Sequence, residues 1–206
     1  MAEASLLSAV ERYYSEKFAL HGPTAPGVDW NSVESQTLRF EQLMTVAPAG
    51  EPFSVVDYGC GYGALAHFLE ARGQPFAYQG LDLSEPMLEH ARREFAQLRF
   101  TSDMGAVEPA DYAVASGIFN VKLLFEEEEW LAYVIETIEQ LHALGARGFA
   151  FNMLTSYSDV DRMRPDLYYA DPCFVFDLCK RRYSQNVALL HDYGLFEFTI
   201  VVRKRP

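Results

Sequence analysis

The chain is poor in cysteine and in positive charge, and it has no long apolar run. Its three cysteines, Cys60, Cys173 and Cys179, are odd in number, with no CxxC pairing and no histidine cluster beside them. Neither a disulfide framework nor a metal site is written there, and the usage suits a reduced, cytoplasmic protein. Seventeen basic residues face 29 acidic ones, a formal charge of −12, so the surface repels a nucleic-acid backbone on average. The two basic clusters, Lys180 to Arg182 and Arg203 to Arg205, fall near the ends of expected elements, where they solvate a helix or strand terminus. No stretch approaches the roughly 18 apolar residues of a membrane span, and no basic segment precedes an apolar run near Met1. Neither nucleic acid nor membrane is an expected partner.

Half the residues are hydrophobic and 14% are aromatic, ample for a packed core. At 206 residues the length suits one α/β domain with a decorated edge. Leu6, Leu7, Val10, Tyr13, Tyr14 and Phe18 recur at helical spacing, which predicts a helix over about 4–20. A second helix follows, with Val33, Thr37, Phe40 and Met44 on one face. Residues 1–46 carry no strand signal and read as a helical cover attached to the domain formed by 47–206.

From Phe53 strands and helices alternate. Strands are expected at 53–58, 77–83, 98–101, 111–116 and 149–153. Helices follow around Leu65 and Phe68, ended by Gly73; around Met87 and Leu88, opened by Ser84 and Pro86; and around Trp130 to Leu141, opened by the acidic run 126–129 and closed by Gly145. A polar and aromatic stretch from Thr155 to Asp171 precedes a helix at 174–182. Two strands, 187–193 and 195–202, meet at Gly194 as an antiparallel hairpin. Alternation of this kind implies a mostly parallel sheet covered on both faces, with the hairpin adding one reversed strand.

The segment Asp57-Tyr58-Gly59-Cys60-Gly61-Tyr62-Gly63 stands where the first strand hands over to a helix. Alternate glycines let the backbone turn sharply and approach a ligand, and the following helix offers unpaired N–H donors. With its preceding acid, this loop resembles the first motif of the class I S-adenosylmethionine-dependent methyltransferases, over roughly residues 50–203. The resemblance implies a Rossmann-like seven-stranded α/β fold and S-adenosylmethionine as cofactor. It also implies roles for particular residues. Asp57, Gly59, Cys60, Gly61 and Gly63 would orient and hold the methionine part. Asp82, ending the second strand, would accept both ribose hydroxyls, and Leu83 would flank the adenine. Asp103, beside Met104, would meet the adenine amino group, or would cap a turn. Ser116 would lie under the methionine moiety. Arg39 would clamp the methionine carboxylate, or would be an ordinary surface arginine. Trp30 would pack on the cofactor or anchor its loop.

Gly59, Gly61 and Ala64 with Asp82 also satisfy a dinucleotide fingerprint, so an NAD(P)-dependent oxidoreductase is the main alternative. A non-catalytic S-adenosylmethionine-binding module is another. The chain lacks the Asn/Asp-Pro-Pro-Tyr/Phe motif of related base and glutamine N-methyltransferases, having Ser116-Gly-Ile-Phe119 instead, and no Pro-Cys pair follows the fourth strand there. That leaves a small molecule methylated on oxygen or nitrogen. His21 and His191 are the weak choices for a general base, and Tyr168 and Tyr169 for lining the acceptor pocket.

Overall fold

Strand β1 (Phe53–Tyr58) buries Phe53, Val55, Val56 and Asp57 without the alternation of a half-exposed strand. A strand apolar on both sides belongs in the middle of a sheet covered on both faces, and the computed structural model, which describes residues 2–205, places it there. The helices are α1 (Ala2–His21), α2 (Val33–Leu43), α3 (Ala64–Arg72), α4 (Glu85–Glu94), α5 (Glu127–Leu144) and α6 (Pro172–Arg182). The remaining strands are β2 (Phe76–Leu81), β3 (Arg99–Thr101), β4 (Ala110–Ala115), β5 (Gly145–Leu154), β6 (Asn186–Leu190) and β7 (Glu197–Arg203).

They form one seven-stranded sheet in the order β3-β2-β1-β4-β5-β7-β6. β1 to β5 run parallel, and β7 is antiparallel to both β5 and β6. The strand order reverses direction between β1 and β4, which opens a crevice beyond their carboxyl ends. The anticipated class, the five parallel strands and the terminal hairpin all appear. β5 starts earlier than its apolar run suggested, because α5 passes directly into it at Gly145; a Cβ there would stand 2.1 Å from the Gly148 carbonyl oxygen.

Two hydrophobic layers sandwich the sheet. Ala113, Phe149, Phe151, Phe198 and Ile200 pack on one face with Trp130, Val134 and Ile138 of α5, Val175 of α6, and Leu6 and Val10 of α1. On the other face Val55, Tyr78, Val114 and Val201 meet Phe40 and Leu43 of α2, Leu65 of α3 and Leu88 of α4. α2 thus packs into the core through Phe40 and Leu43. The β3–β4 connection holds no α-helix, only a 3-10 turn at Met104–Ala106. α1 packs on that same face.

α2 is anchored to β7 by a buried ion pair. Arg39 Nε and Nη2 donate to the two Glu197 oxygens at 2.7 and 2.5 Å, and Nη1 donates to the Ser35 carbonyl at 2.7 Å. Both side chains are almost wholly buried, so removing one leaves an uncompensated charge in the core. Arg39→Met is expected to cost about 3 to 5 kcal/mol in urea unfolding. The double variant with Glu197→Gln should regain most of that loss, and equal destabilisation in both would assign the cost to packing instead.

Candidate cofactor and acceptor site

The turn between β1 and α3 is built on three glycines. Gly59, Gly61 and Gly63 take φ of +78°, +54° and +90°, a region costly for residues bearing a Cβ. Space is short as well: a Cβ on Gly59 would stand 2.2 Å from Ile118 Cγ2, and one on Gly63 2.9 Å from the Phe95 ring. The backbone of the turn is therefore pressed against the end of β4 on one side and α4 on the other.

Asp82, just beyond β2, straps this turn. Its Oδ2 accepts from the Gly61 N–H at 2.7 Å and its Oδ1 from the Ser84 N–H at 2.8 Å. Burial raises its carboxyl above the ordinary range, while those backbone N–H groups oppose the shift. Each oxygen retains a lone pair for a further donor. Asp57, in the β1 core, accepts from the Tyr78 hydroxyl at 2.6 Å. Burial pushes its carboxyl from 3.8 up to about 7, against the hydrogen bond from Tyr78, which favours the charged form.

Over the crevice lies a cavity of ≈ 250 Å³. Its floor is Asp57, Gly59, Cys60, Gly61, Asp82 and Ser116, and Leu83, Ser102 and Met104 wall one end. The other end is closed by Val28, Trp30, Gln36, Phe40 and Tyr62. Gly117, at φ +77°, donates its N–H to Oδ1 of the fully buried Asn152 at 2.7 Å. The Trp30 indole lies directly on Gly117, 2.3 Å from where a Cβ would be, and the Arg39 guanidinium carbon stands 3.9 Å from the Trp30 ring centroid.

Asp57, Gly59, Cys60, Gly61, Asp82, Leu83, Met104 and Ser116 line one cavity, whereas Gly63, at the end of the turn, does not. Other choices do not join them. Arg39 does not line the cavity: Glu197 neutralises its guanidinium, which supports Trp30 from behind. Asp103 also falls outside the lining, and its Oδ1 caps the 3-10 turn by accepting from Gly105 N–H at 2.8 Å. Tyr168 and Tyr169 lie outside it too. Tyr168 packs on the α5 face with its N–H on the Asn120 carbonyl, and the Tyr169 hydroxyl accepts from Arg164 N–H. His21 is exposed at the end of α1, and His191 is exposed on the β6–β7 connection between Tyr157 and Phe198. No described group of His, Cys, Asp and Glu residues is arranged to hold a metal ion.

Sequence reasoning missed the wall that α1 supplies. Leu7, Val10, Glu11 and Tyr14 line the cavity opposite Tyr133 and Gln140 of α5, and Gln140 Oε1 accepts from the Tyr58 hydroxyl at 2.6 Å. Positions 7, 10, 11 and 14 form one helical stripe. Glu11, an acid within an otherwise apolar stripe, was the available signal.

A sheet of this order, with a left-handed glycine turn after β1 and a carboxylate after β2, defines a nucleotide-type cofactor crevice, and the sequence relationships say which. The chain belongs to the class I S-adenosylmethionine-dependent methyltransferases. A family model described as "Methyltransferase domain" matches residues 55–143. Rv1506c of Mycobacterium tuberculosis, whose name gives methyltransferase activity and no acceptor, is 55% identical over 164 residues, covering 78% of this chain and 99% of that protein. The trans-aconitate 2-methyltransferase of Variovorax paradoxus is 34% identical over 93 residues, 42% of this chain and 36% of that enzyme. Among solved structures, magnesium protoporphyrin IX methyltransferase from Synechocystis PCC 6803 with bound S-adenosylmethionine superposes with a TM-score of 0.60 at 16% identity, over 95% of this chain and 97% of that one. A TehB-like methyltransferase from Corynebacterium glutamicum gives 0.58 at 17% identity, over 94% and 100%. The dinucleotide reading of the glycine loop finds no support among these relatives.

The raised Asp57 carboxyl has a consequence for stability. It is protonated in the fold where an unfolded aspartate, at 3.8, is already ionised, so its contribution is complete below that value and is lost as pH rises through about 7. Asp57→Asn keeps an acceptor for Tyr78 and never ionises. Melting of the protein without ligand at pH 5 and pH 8 should show a smaller fall for the variant than for wild type, and parallel falls would remove Asp57 as the cause.

Proposed function

We propose that the protein transfers a methyl group from S-adenosylmethionine to an oxygen or nitrogen of a small, uncharged organic acceptor. The observation that carries this reading is the mostly apolar cavity over the carboxyl ends of β1 and β4. Its acidic lining residues are Glu11, Asp57 and Asp82, and among the described residues no lysine, arginine or histidine lines it. A cationic sulfonium suits such a lining, whereas an anionic acceptor would enter without a counter-charge. The same lack of cations, with the net charge of −12, argues against a nucleic-acid acceptor.

The residues present fit the cofactor. The glycine turn brings the bare backbone of Gly59 and Gly61 to the cavity, and Asp82 is held by two N–H groups with lone pairs to spare. Asp82 would hold the ribose hydroxyls, Leu83 and Met104 would flank the adenine, and the turn with Ser116 and Gly117 would carry the methionine moiety. The bound sulfonium supplies an electrophilic methyl group with a good leaving group attached. What this chain adds is alignment and exclusion of water, through Trp30, Tyr14, Tyr133 and Ile118 around the cavity. No described helix is long and apolar enough to cross a membrane.

α1 and the loop through Trp30 act as the cover in this reading, and cofactor exchange needs them to open. Amide hydrogen exchange in α1 should slow when S-adenosylhomocysteine is added, more than in α5 around Trp130; identical protection with and without ligand would leave α1 as packing alone. The cofactor assignment itself is tested by calorimetry. S-adenosylhomocysteine should bind and NAD should not, and Asp82→Ala should weaken binding by about 1.5 to 3 kcal/mol, the range for hydrogen bonds to a charged group. Binding of NAD without any response to S-adenosylhomocysteine would overturn it.

A further inference from the structure

α1 is joined to the ribose acid by a continuous chain of hydrogen bonds. The Ser15 hydroxyl donates to Glu11 Oε1 at 2.8 Å and lies 2.7 Å from the Ser84 hydroxyl. Ser84, fully buried, donates its backbone N–H to Asp82 Oδ1, and Asp82 Oδ2 holds Gly61. Ser84 opens α4, yet its side chain makes no capping bond to that helix; it turns to α1 instead. Lys17 and Tyr13 fix the same stretch of the helix, both donating to Asp29 at 2.8 Å.

This network delivers a second carboxylate to the cavity wall. Glu11 lines the cavity with Asp82, and its charge adds to the upward push that burial gives the Asp82 carboxyl. Lys17 on the same helix is already paired with Asp29, and Arg12, next to Glu11 in the sequence, does not line the cavity. Two carboxylates lining one cavity with no cation among its lining residues repel each other, and a ligand offering two adjacent hydrogen-bond donors relieves that repulsion. A vicinal diol is such a ligand.

We propose that Glu11 is a cofactor-binding residue, which accepts from one hydroxyl of the ribose while Asp82 accepts from the other. The proposal rests on the cofactor reading above. It makes α1 part of the nucleoside site, since a ligand seated between Glu11 and Asp82 ties the helix to the end of β2 by a second connection beside the Ser15–Ser84 contact. Ser15 is then a positioning residue, acting through the Glu11 carboxylate that its hydroxyl holds.

Calorimetric titration of the full chain with S-adenosylhomocysteine tests this, using Glu11→Ala, Glu11→Gln and Ser15→Ala, with Asp82→Ala as reference and thermal melting as the check of folding. Glu11→Ala should lose about tenfold in affinity, the order of one hydrogen bond to a charged group, and Ser15→Ala a smaller amount in the same direction. Glu11→Gln is isosteric and keeps an acceptor, so it covers the case in which Glu11→Ala fails to fold, with a loss of a few fold. The 2′-deoxy and 3′-deoxy analogues of S-adenosylhomocysteine give the readout that a purely structural role would not move. With one of the two, the Glu11 variants should bind as well as wild type, because the hydroxyl that Glu11 holds is gone. A penalty that persists with both analogues overturns the proposal, as does unchanged affinity in folded Glu11 variants while Asp82→Ala still weakens binding. Loss of response in every protein, wild type included, would instead sink the cofactor reading.

Discussion

The carbonyl of Leu81 receives two donors, the N–H groups of Gly59 at 2.7 Å and Cys60 at 3.0 Å. That contact stitches the exit of β1 to the exit of β2 and requires the chain to leave β1 in a left-handed conformation. The position of Asp82 against Gly61, the closeness of Ile118 to Gly59 and the depth of the crevice all follow from it. The turn is held by its neighbours rather than by its own sequence, since a free chain of this glycine content would sample many conformations. β2 and the β4 exit supply the constraint.

The sequence carried the sheet and the cofactor edge plainly, for two reasons. Buried parallel strands read as short apolar runs between turn residues, so β1 and β4 were visible. The glycine turn, Asp82 and Leu83 lie within a few residues of strand ends, so local sequence places them. What failed to show was whatever depends on distant partners. Arg39 reads as a free guanidinium on an amphipathic helix until Glu197, 158 positions away, meets it. Asp103 reads equally as ligand or cap, and only the position of Gly105 N–H decides for the cap. Tyr168 reads as pocket lining because it lies in the aromatic segment after β5, whereas the turn of that segment onto Asn120 carries it to the α5 face.

The short β3–β4 connection explains why α1 matters. A parallel crossover is normally filled by a helix that covers one face of the sheet. Here residues 102–109 cross with only a 3-10 turn, and α1 packs over the space with Leu6 and Val10 in the core and Leu7, Glu11 and Tyr14 on the cavity. One helix thus contributes to two environments, the packed core and the cavity wall. α2 differs, being locked to β7 through Arg39 and to the opposite layer through Phe40 and Leu43.

The contact of Trp30 with Gly117 makes those two positions one unit of sequence. An indole lying on the α-carbon of a left-handed glycine leaves no room for even a methyl group, and Arg39 closes the other face of the ring. A chain descended from this one could accept a side chain at 117 only after a smaller residue had taken position 30, and that first change would strip Arg39 of its stacking partner. Divergence of the cavity at this end is therefore ordered: the tryptophan must go before the glycine.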